Sequence, residues 1–505
     1  MAKKKITLNA GQTSAMRKIL AFLDNETCRV FVLRGYAGTG KTTLLKFLLS
    51  EMDNTLHLQY TLLSPTGRAA KVMRDVTGKD ADTVHSMLFS YEGLNKDLGD
   101  EDPKDIHLDA IDRYGQLYIV FNSKVRKREG DNSPCPMIYI IDEASMIADT
   151  EEKVISQAKF GSGRLLSELL AYDTLPGSKY IFIGDPCQLP PVVNDDAVDS
   201  AGNHLANFSP ALSLPYLKRE FNIPVANAEL TEVMRQENGS GLLEASQRIR
   251  ELRYEAPISA EDYAHQTVWA RLPLLGVDEI VFHDTYDEME DEYVSRFRKH
   301  GAENTIFIAR SNFKCNRHSL SIRSKLGITG SGAQPGDLLM ITQNNKDLGI
   351  YNGDFAIVLE VGPDIIYHTG LHFVEVRLKD VNNKHEYRSL MIEDTLYNGL
   401  PNLDSRQQTA LYADFHDRMK ALGIRQKTSE YEDHMRLDPW LNALRCTYGY
   451  CVTCNKAQGG EWQHVYIDMP RNIMVNPLRQ DYQWVYTALT RATSRVHLKS
   501  DYFYN

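Results

Sequence analysis

Residues 35–42 read Gly-Tyr-Ala-Gly-Thr-Gly-Lys-Thr, and this octapeptide restricts the fold more than anything else in the chain. The spacing G-x-x-x-x-G-K-[ST] is that of a phosphate-binding P-loop. The run ahead of it, Arg29-Val30-Phe31-Val32-Leu33, is short, apolar and β-branched, as suits a buried parallel strand. The run behind it, Thr42-Thr43-Leu44-Leu45-Lys46-Phe47-Leu48-Leu49, has helical spacing and no breaker. Glycines let the backbone fold tightly around an anion with its amides turned inward. The helix N-terminus beneath adds partial positive charge. Gly35, Ala37, Gly38, Thr39, Gly40 and Thr43 are therefore expected to form a nucleotide cradle. Lys41 should reach the β- and γ-phosphates, and the Thr42 hydroxyl should bind Mg2+.

Two more strand patterns end in residues with chemical work to do. Met137-Ile138-Tyr139-Ile140-Ile141 runs into Asp142-Glu143-Ala144-Ser145. Downstream of a P-loop, a strand ending in two acids places the first near Mg2+ and the second where it can activate the attacking water. Tyr180-Ile181-Phe182-Ile183 ends in Gly184-Asp185-Pro186-Cys187-Gln188, and Gln188 sits where a side-chain amide can sense the γ-phosphate. ATP and Mg2+ are the expected ligands. Lys41, Glu143 and Gln188 are the expected catalytic groups, and Thr42 and Asp142 the metal-binding pair.

The 505 residues suggest several domains rather than one core. A net charge of -10 means that the molecule as a whole is not a basic nucleic-acid binder, so any such site is a local groove. No apolar run is long enough to span a membrane. Met1 to Leu8 has basic residues but no apolar core, so it does not read as a secretory signal. Seven scattered cysteines argue for reduced thiols and a cytoplasmic setting. Cys451 and Cys454 form one C-x-x-C with no second pair nearby, and this is read as incidental.

In this order, GYAGTGKT, IIDEAS and GDPCQLPPV resemble the superfamily 1 helicases, and among them the RecD-like and Dda-like branch, subtype B. Further segments resemble the same family. Leu8-Asn9-Ala10-Gly11-Gln12 is similar to its Q-motif, Leu63 to Ala70 to motif Ia, and Thr83-Val84-His85 to motif Ib. Leu230-Thr231-Glu232-Val233-Met234-Arg235-Gln236 is similar to motif IV. TCNKAQGGE, Thr453 to Glu461, is similar to motif V, and Val485 to Ala492 to motif VI. The resemblance spans residues 8 to 495. The family has histidine before the motif V lysine, where this chain has Asn455. Asparagine keeps a donor and an acceptor but cannot carry charge or stack like imidazole.

The resemblance implies an α/β protein with two tandem RecA-like P-loop motor folds and ATP in the cleft between them. It implies that Gln12 reads adenine and that Gly459 and Glu461 approach the nucleotide. Arg235 and Arg491 match the arginine fingers, whose planar, permanently charged guanidinium suits spread phosphoryl charge. It places Pro65, Thr66, Thr83, His85, Thr453 and Asn455 on single-stranded DNA. It also implies 5′ to 3′ movement, action at single-strand/duplex junctions and no membrane partner. One chain carrying both folds suffices for the ATP site, so a monomer is expected, nucleoid-associated in a bacterial or viral setting.

The motifs imply a small β-rich insertion in each fold. The first motor fold takes residues 1–85 and 137–225, with 86–136 as an insertion that carries a β-hairpin pin in relatives. There Gln116 to Phe121 alternates like a strand, with Tyr118 and Phe121 as candidate wedge residues or buried strand aromatics. Lys124, Arg126, Lys127 and Arg128 fit a duplex entry or a solvated loop equally. The second fold takes 226–360 and 447–505, and 361–446 is an insertion that in relatives holds an SH3-like barrel. Within it, Leu411, Phe415, Met419 and Leu422 predict a helix near 404–423. The acidic run at 285–294 reads as a solvated helix face. Three other activities stay open on sequence: a DNA-stimulated ATPase that remodels nucleoprotein, action on RNA, and a DNA-binding subunit with a weakened motor.

Overall fold

The computed structural model describes residues 7–94, 121–125, 135–150, 158–160, 162–193, 198–232, 241–264, 266–345, 348–426 and 428–505. Six strands form an all-parallel sheet in the order Ala81–Thr83, Tyr60–Ser64, Ile138–Ile141, Lys179–Gly184, Val30–Gly35, Val225–Leu230. Parallel strands need helical crossovers, and these cover both faces, so inner strands such as Ile138–Ile141 and Lys179–Gly184 are buried throughout rather than alternating. Ile138–Ile141 is buried at every position. Alternate residues then feed two separate cores. Phe31 and Leu33 pack with Ile19, Leu44, Leu48 and Met73 of the helices Ala10–Asp24, Lys41–Glu51 and Gly67–Thr77. Val30 and Val32 pack on the other side with Leu166, Leu169 and Leu217.

A second all-parallel sheet has the order Ile280–His283, Ala492–Lys499, Trp462–Ile467, Thr305–Ala309, Cys451–Thr453. Between its second and third strands in chain order, Thr305–Ala309 and Cys451–Thr453, lies a closed barrel of Leu338–Ile341, Phe355–Ile366, His372–Asp380, Glu386–Ile392 and Leu444–Tyr448. Sheet and barrel share one continuous apolar core. The helices Ser405–Ala421 and Ser429–Leu437 cover the barrel's far end through Leu411, Phe415 and Tyr431. A small sheet pairs Phe89–Leu94 antiparallel with Phe121–Val125 and the latter parallel with Ala158–Phe160.

Several boundaries differ from the expectation. Val225–Leu230 pairs along its whole length with the P-loop strand, so the first sheet runs through the expected break at 225/226. The barrel starts at Leu338, not at 361, and Phe355 to Leu359 belongs to its longest strand. Leu422 is 66% exposed, because the helix ends at Ala421 and Leu422 only caps it. The acidic run does lie on a helix, Tyr286–His300, but Glu290 is buried against His318 and Ser321. Tyr118, Arg126, Lys127 and Arg128 lie outside the described residues, and Lys124 falls within the Phe121–Val125 strand.

Candidate active site

The P-loop takes its shape from two glycines. Gly38 and Gly40 have φ of 76° and 78°, the left-handed region that costs glycine nothing. Gly40 opens the Lys41–Glu51 helix without a side-chain cap, so the first helical amides remain for an anion. Lys41 Nζ donates to the carbonyls of Gly35, at 2.7 Å, and Tyr36, at 3.2 Å. Gly35 is packed against that lysine: a Cβ there would fall 2.9 Å from Lys41 Cγ. The Thr39 hydroxyl ties down the turn by donating to Tyr36 O at 2.8 Å. Gln12 lies beneath the loop. Its amide donates to Thr39 O and Gly40 O, at 3.3 and 3.4 Å, and its Oε1 accepts from Asn9 N.

A cavity of about 730 Å³ opens above the loop. Ala37, Gly38, Gly40, Lys41, Thr42 and Thr43 form its floor. Asp142, Glu143 and Gln188 stand at the carboxyl ends of the two neighbouring strands. Gly459, Glu461 and Arg491 come from the second sheet's side of the molecule. Of the expected nucleotide residues, Gly35, Thr39 and Gln12 brace the loop, and the others named line the cavity. Arg235 lies outside the described residues.

The electrostatics of the two acids follow from burial. Burial raises the Asp142 carboxyl, and the Glu143 amide on its Oδ1 pulls it back. Burial and then the Asp142 charge push Glu143 up to about 7, against the pull of Arg491 and Lys41. Glu143 is held at φ 53°, a costly backbone for a residue with a Cβ. Glu143 Oε2 and Gln188 Oε1 are buried without a hydrogen-bond partner among the described residues. Buried acceptors in that state call for a donor that enters with a ligand or its water.

The two sheets meet directly at this cavity. Tyr486 Oη accepts from Ala37 N at 3.1 Å and donates to Asp185 Oδ2 at 2.7 Å. Leu189 N donates to Thr487 Oγ1 at 3.0 Å, and Gln483 Nε2 to Gln188 O at 3.0 Å. Gln458 Nε2 donates to Leu189 O at 3.2 Å. Arg491, 4% exposed, is aimed by its own surroundings: it donates to Thr487 O, Gly460 O and Thr490 Oγ1. Sequence reading passed over Tyr486, Thr487 and Gln458, although each stands inside a quoted motif. For Tyr486 and Thr487 the available signal was polar residues on a helix, Arg479–Leu489, that is buried from Asp481 to Leu489.

The residues assigned to DNA gather at sheet edges. Pro65 and Thr66 follow the carboxyl end of Tyr60–Ser64, whose neighbour Ala81–Thr83 ends in Thr83. Thr453 ends Cys451–Thr453 in the other sheet, and Asn455 follows on the short helix Cys454–Ala457. In open parallel sheets this edge is where ligands bind. Thr66 and Thr83 also cap helices, accepting from Ala69 N and Ser86 N. His85 sits apart, in a smaller cavity with Phe89, Glu168 and Val192, and burial pushes its imidazole down to about 4. Among the described residues no cluster of three or more His, Cys, Asp or Glu could hold a metal ion. Cys451 and Cys454 are buried free thiols. No helix among the described residues is long and apolar enough to cross a membrane.

A P-loop cavity completed by an arginine from a second parallel sheet places the chain among P-loop proteins of the two-lobed kind. Known proteins agree. Residues 7–214 match the AAA domain family, and residues 448–498 match the UvrD-like helicase C-terminal domain. The ATP-dependent RecD2 DNA helicase of Deinococcus radiodurans is 26% identical over 341 residues, 66% of this chain and 36% of that protein. The ATP-dependent DNA helicase dda of Enterobacteria phage T4 is 36% identical over 81 residues, 16% of this chain and 18% of its own length. The chain thus spans about a third of the length of the RecD2 relative. In fold, a Pif1 helicase from Bacteroides, solved with ADP-AlF3 and single-stranded DNA, superposes with a TM-score of 0.50 at 16% identity, over 99% of this chain and 93% of that one. The family matches and the helicase relatives together indicate a superfamily 1 helicase of subtype B.

Proposed function

We propose that this protein is an ATP-driven motor that moves 5′ to 3′ along single-stranded DNA and separates duplex ahead of it, the work of replication, recombination and repair. One observation carries the reading: Lys41, Asp142, Glu143 and Gln188 from one sheet and Arg491 from the other line a single cavity. On this reading the two sheets are tandem RecA-like motor folds, the barrel is SH3-like, and the Phe89–Leu94 strand belongs to the pin-bearing insertion. Arg235 supplies a second finger, and Pro65, Thr66, Thr83, Thr453 and Asn455 hold the strand along the two carboxyl edges.

Lys41 exchanges the loop carbonyls for phosphate oxygens, and the free amides above Gly40 take the rest of the chain of phosphates. The donor set of Thr42 hydroxyl and Asp142 carboxylate is one of hard oxygens, which fits Mg2+. When bound there, the ion neutralises charge on the transferring phosphoryl group. Glu143 accepts the proton of the attacking water on its unpartnered oxygen, while Gln188 orients that water. Arg491 stabilises the charge that spreads over the phosphoryl oxygens. Because Arg491 belongs to the other sheet, hydrolysis requires a closed cleft, and loss of the phosphate relaxes it.

The test is ATP hydrolysis with and without single-stranded DNA. DNA should stimulate turnover in the wild type, and Lys41→Ala should abolish it in a protein that still folds. Substantial turnover in Lys41→Ala would remove the P-loop from the reaction.

A further inference from the structure

Arg68 takes no part in the mechanism above, yet it stands on the wall of the same cavity. It is 9% exposed, and among the described residues it makes no ion pair with a carboxylate. Its one hydrogen bond is long, from Nη1 to Gly353 O at 3.5 Å. The guanidinium instead lies between two rings, 5.0 Å from the centroid of Phe355 and 4.8 Å from that of Trp462. The carboxylate beside it, Asp354, is taken by Lys71 at 3.1 Å.

Arg491 is close by, and one residue joins the two. Gly460 O accepts from Arg491 Nη1 at 3.1 Å, and a Cβ on Gly460 would fall 2.5 Å from Arg68 Nη2. Two buried guanidiniums thus bracket a single glycine and repel each other. Asp354 attracts Arg68 but is shared with Lys71, and burying two cations side by side is costly. A multivalent anion in the cavity they face would offset that cost. A planar fork presents paired donors to phosphate oxygens.

We propose that Arg68 is a third cleft arginine, binding the terminal phosphate of the nucleotide from the P-loop side of the cleft. This rests on the nucleotide-site reading above. The terminal phosphate is singled out because Arg68 stands beside Arg491, across Gly460, whereas the loop amides serve the inner phosphates. Phe355 opens a barrel strand and Trp462 opens a strand of the second sheet, so the same guanidinium is seated on the half of the molecule that must close.

The experiment measures binding of a fluorescent non-hydrolysable ATP analogue and of the matching ADP analogue, both with Mg2+. The full chain is used as wild type, Arg68→Gln and Arg68→Lys, with the melting temperature of each recorded. Arg68→Gln should lose at least about tenfold in triphosphate affinity, with diphosphate affinity within about twofold, the scale of one charge-assisted contact. Arg68→Lys, which keeps the charge and loses the fork, should fall between. Equal loss for both nucleotides, or no loss for either, overturns the assignment. If Arg68→Gln does not fold, the triphosphate-to-diphosphate ratio of Arg68→Lys decides in the same way. Absence of nucleotide binding in the wild type would remove the nucleotide-site reading itself, and this assignment with it.

Discussion

Glu143 holds three unusual properties at once: a left-handed backbone, complete burial of one carboxylate oxygen, and a pKa pushed up to about 7. Each is costly for folding and useful for a base. A carboxyl with an ordinary pKa would be too weak to take a proton from water at neutral pH. The base acts when deprotonated, so activity is present above its pKa and lost as pH falls through it. kcat/KM for ATP reports the free protein and should therefore fall as pH drops below about 7. A profile that stays flat well below neutrality would take Glu143 out of that role. Glu143→Gln should bind ATP and hydrolyse it slower by about 10²–10⁴, the usual range for removing a general base. Arg491 makes a separate claim. Three of its five N–H donors are already used to aim it, so the side chain is fixed before the nucleotide arrives and two donors remain. Arg491→Ala should lower hydrolysis by about 10³ or more while leaving single-stranded DNA affinity unchanged. Normal hydrolysis would place the finger elsewhere.

At the scale of elements, the helix Gly67–Thr77 does more than pack under its own sheet. Lys71 donates to Asp380 at 2.6 Å and Asp354 at 3.1 Å, and all three are buried. Burial alone would push the Lys71 pKa down, but the two carboxylates overcome it and the net shift is upward. Arg74 stacks on Tyr351, and Gly67 leaves no room beside the same ring, where a Cβ would fall 2.6 Å from Tyr351 Cβ. A helix of the first lobe is therefore bolted to the root of the barrel. Lys71→Ala would strand two buried carboxylates and should cost about 3–5 kcal/mol. A melting temperature unchanged from wild type would show that the bolt carries no stability.

The strands that carry the proposed catalytic residues were legible because parallel strands covered on both faces read as short apolar runs, and Ile138–Ile141 and Lys179–Gly184 lie where those runs end in Asp142 and Asp185. The barrel's start was not. Leu338–Ile341 and Phe355 to Leu359 are apolar in the same way, and only their pairing with each other and with Leu444–Tyr448, far along the chain, makes them barrel rather than sheet. The acidic helix misled for a local reason. Glu290 faces inward because His318 and Ser321 on a neighbouring helix take its two oxygens, and a partner that distant leaves no trace in a charge pattern.

For the molecule as a whole, the central claim is that one cleft belongs to both lobes. The phosphate floor was visible in the octapeptide, but the joint between the lobes was not. Tyr486 reaches Ala37 and Asp185 across about 450 and 300 residues of chain, and its role is set by those positions alone. Gln483 and Thr487 likewise hold the backbone of Gln188 and Leu189. These contacts tie the loop that carries Gln188 directly to the Arg479–Leu489 helix of the other lobe. The DNA grip is the least explicit part, because Thr66 and Thr83 serve as helix caps whether or not a strand lies on them.

The most direct test is strand separation with Mg2+ and ATP on two matched partial duplexes, one with a 5′ single-stranded tail and one with a 3′ tail. Wild-type protein should separate only the 5′-tailed duplex, and Lys41→Ala should separate neither. Separation of the 3′-tailed duplex would contradict the direction of movement. Separation of neither by the wild type, with DNA-stimulated hydrolysis intact, would contradict the helicase reading and leave a motor that moves on DNA without opening it.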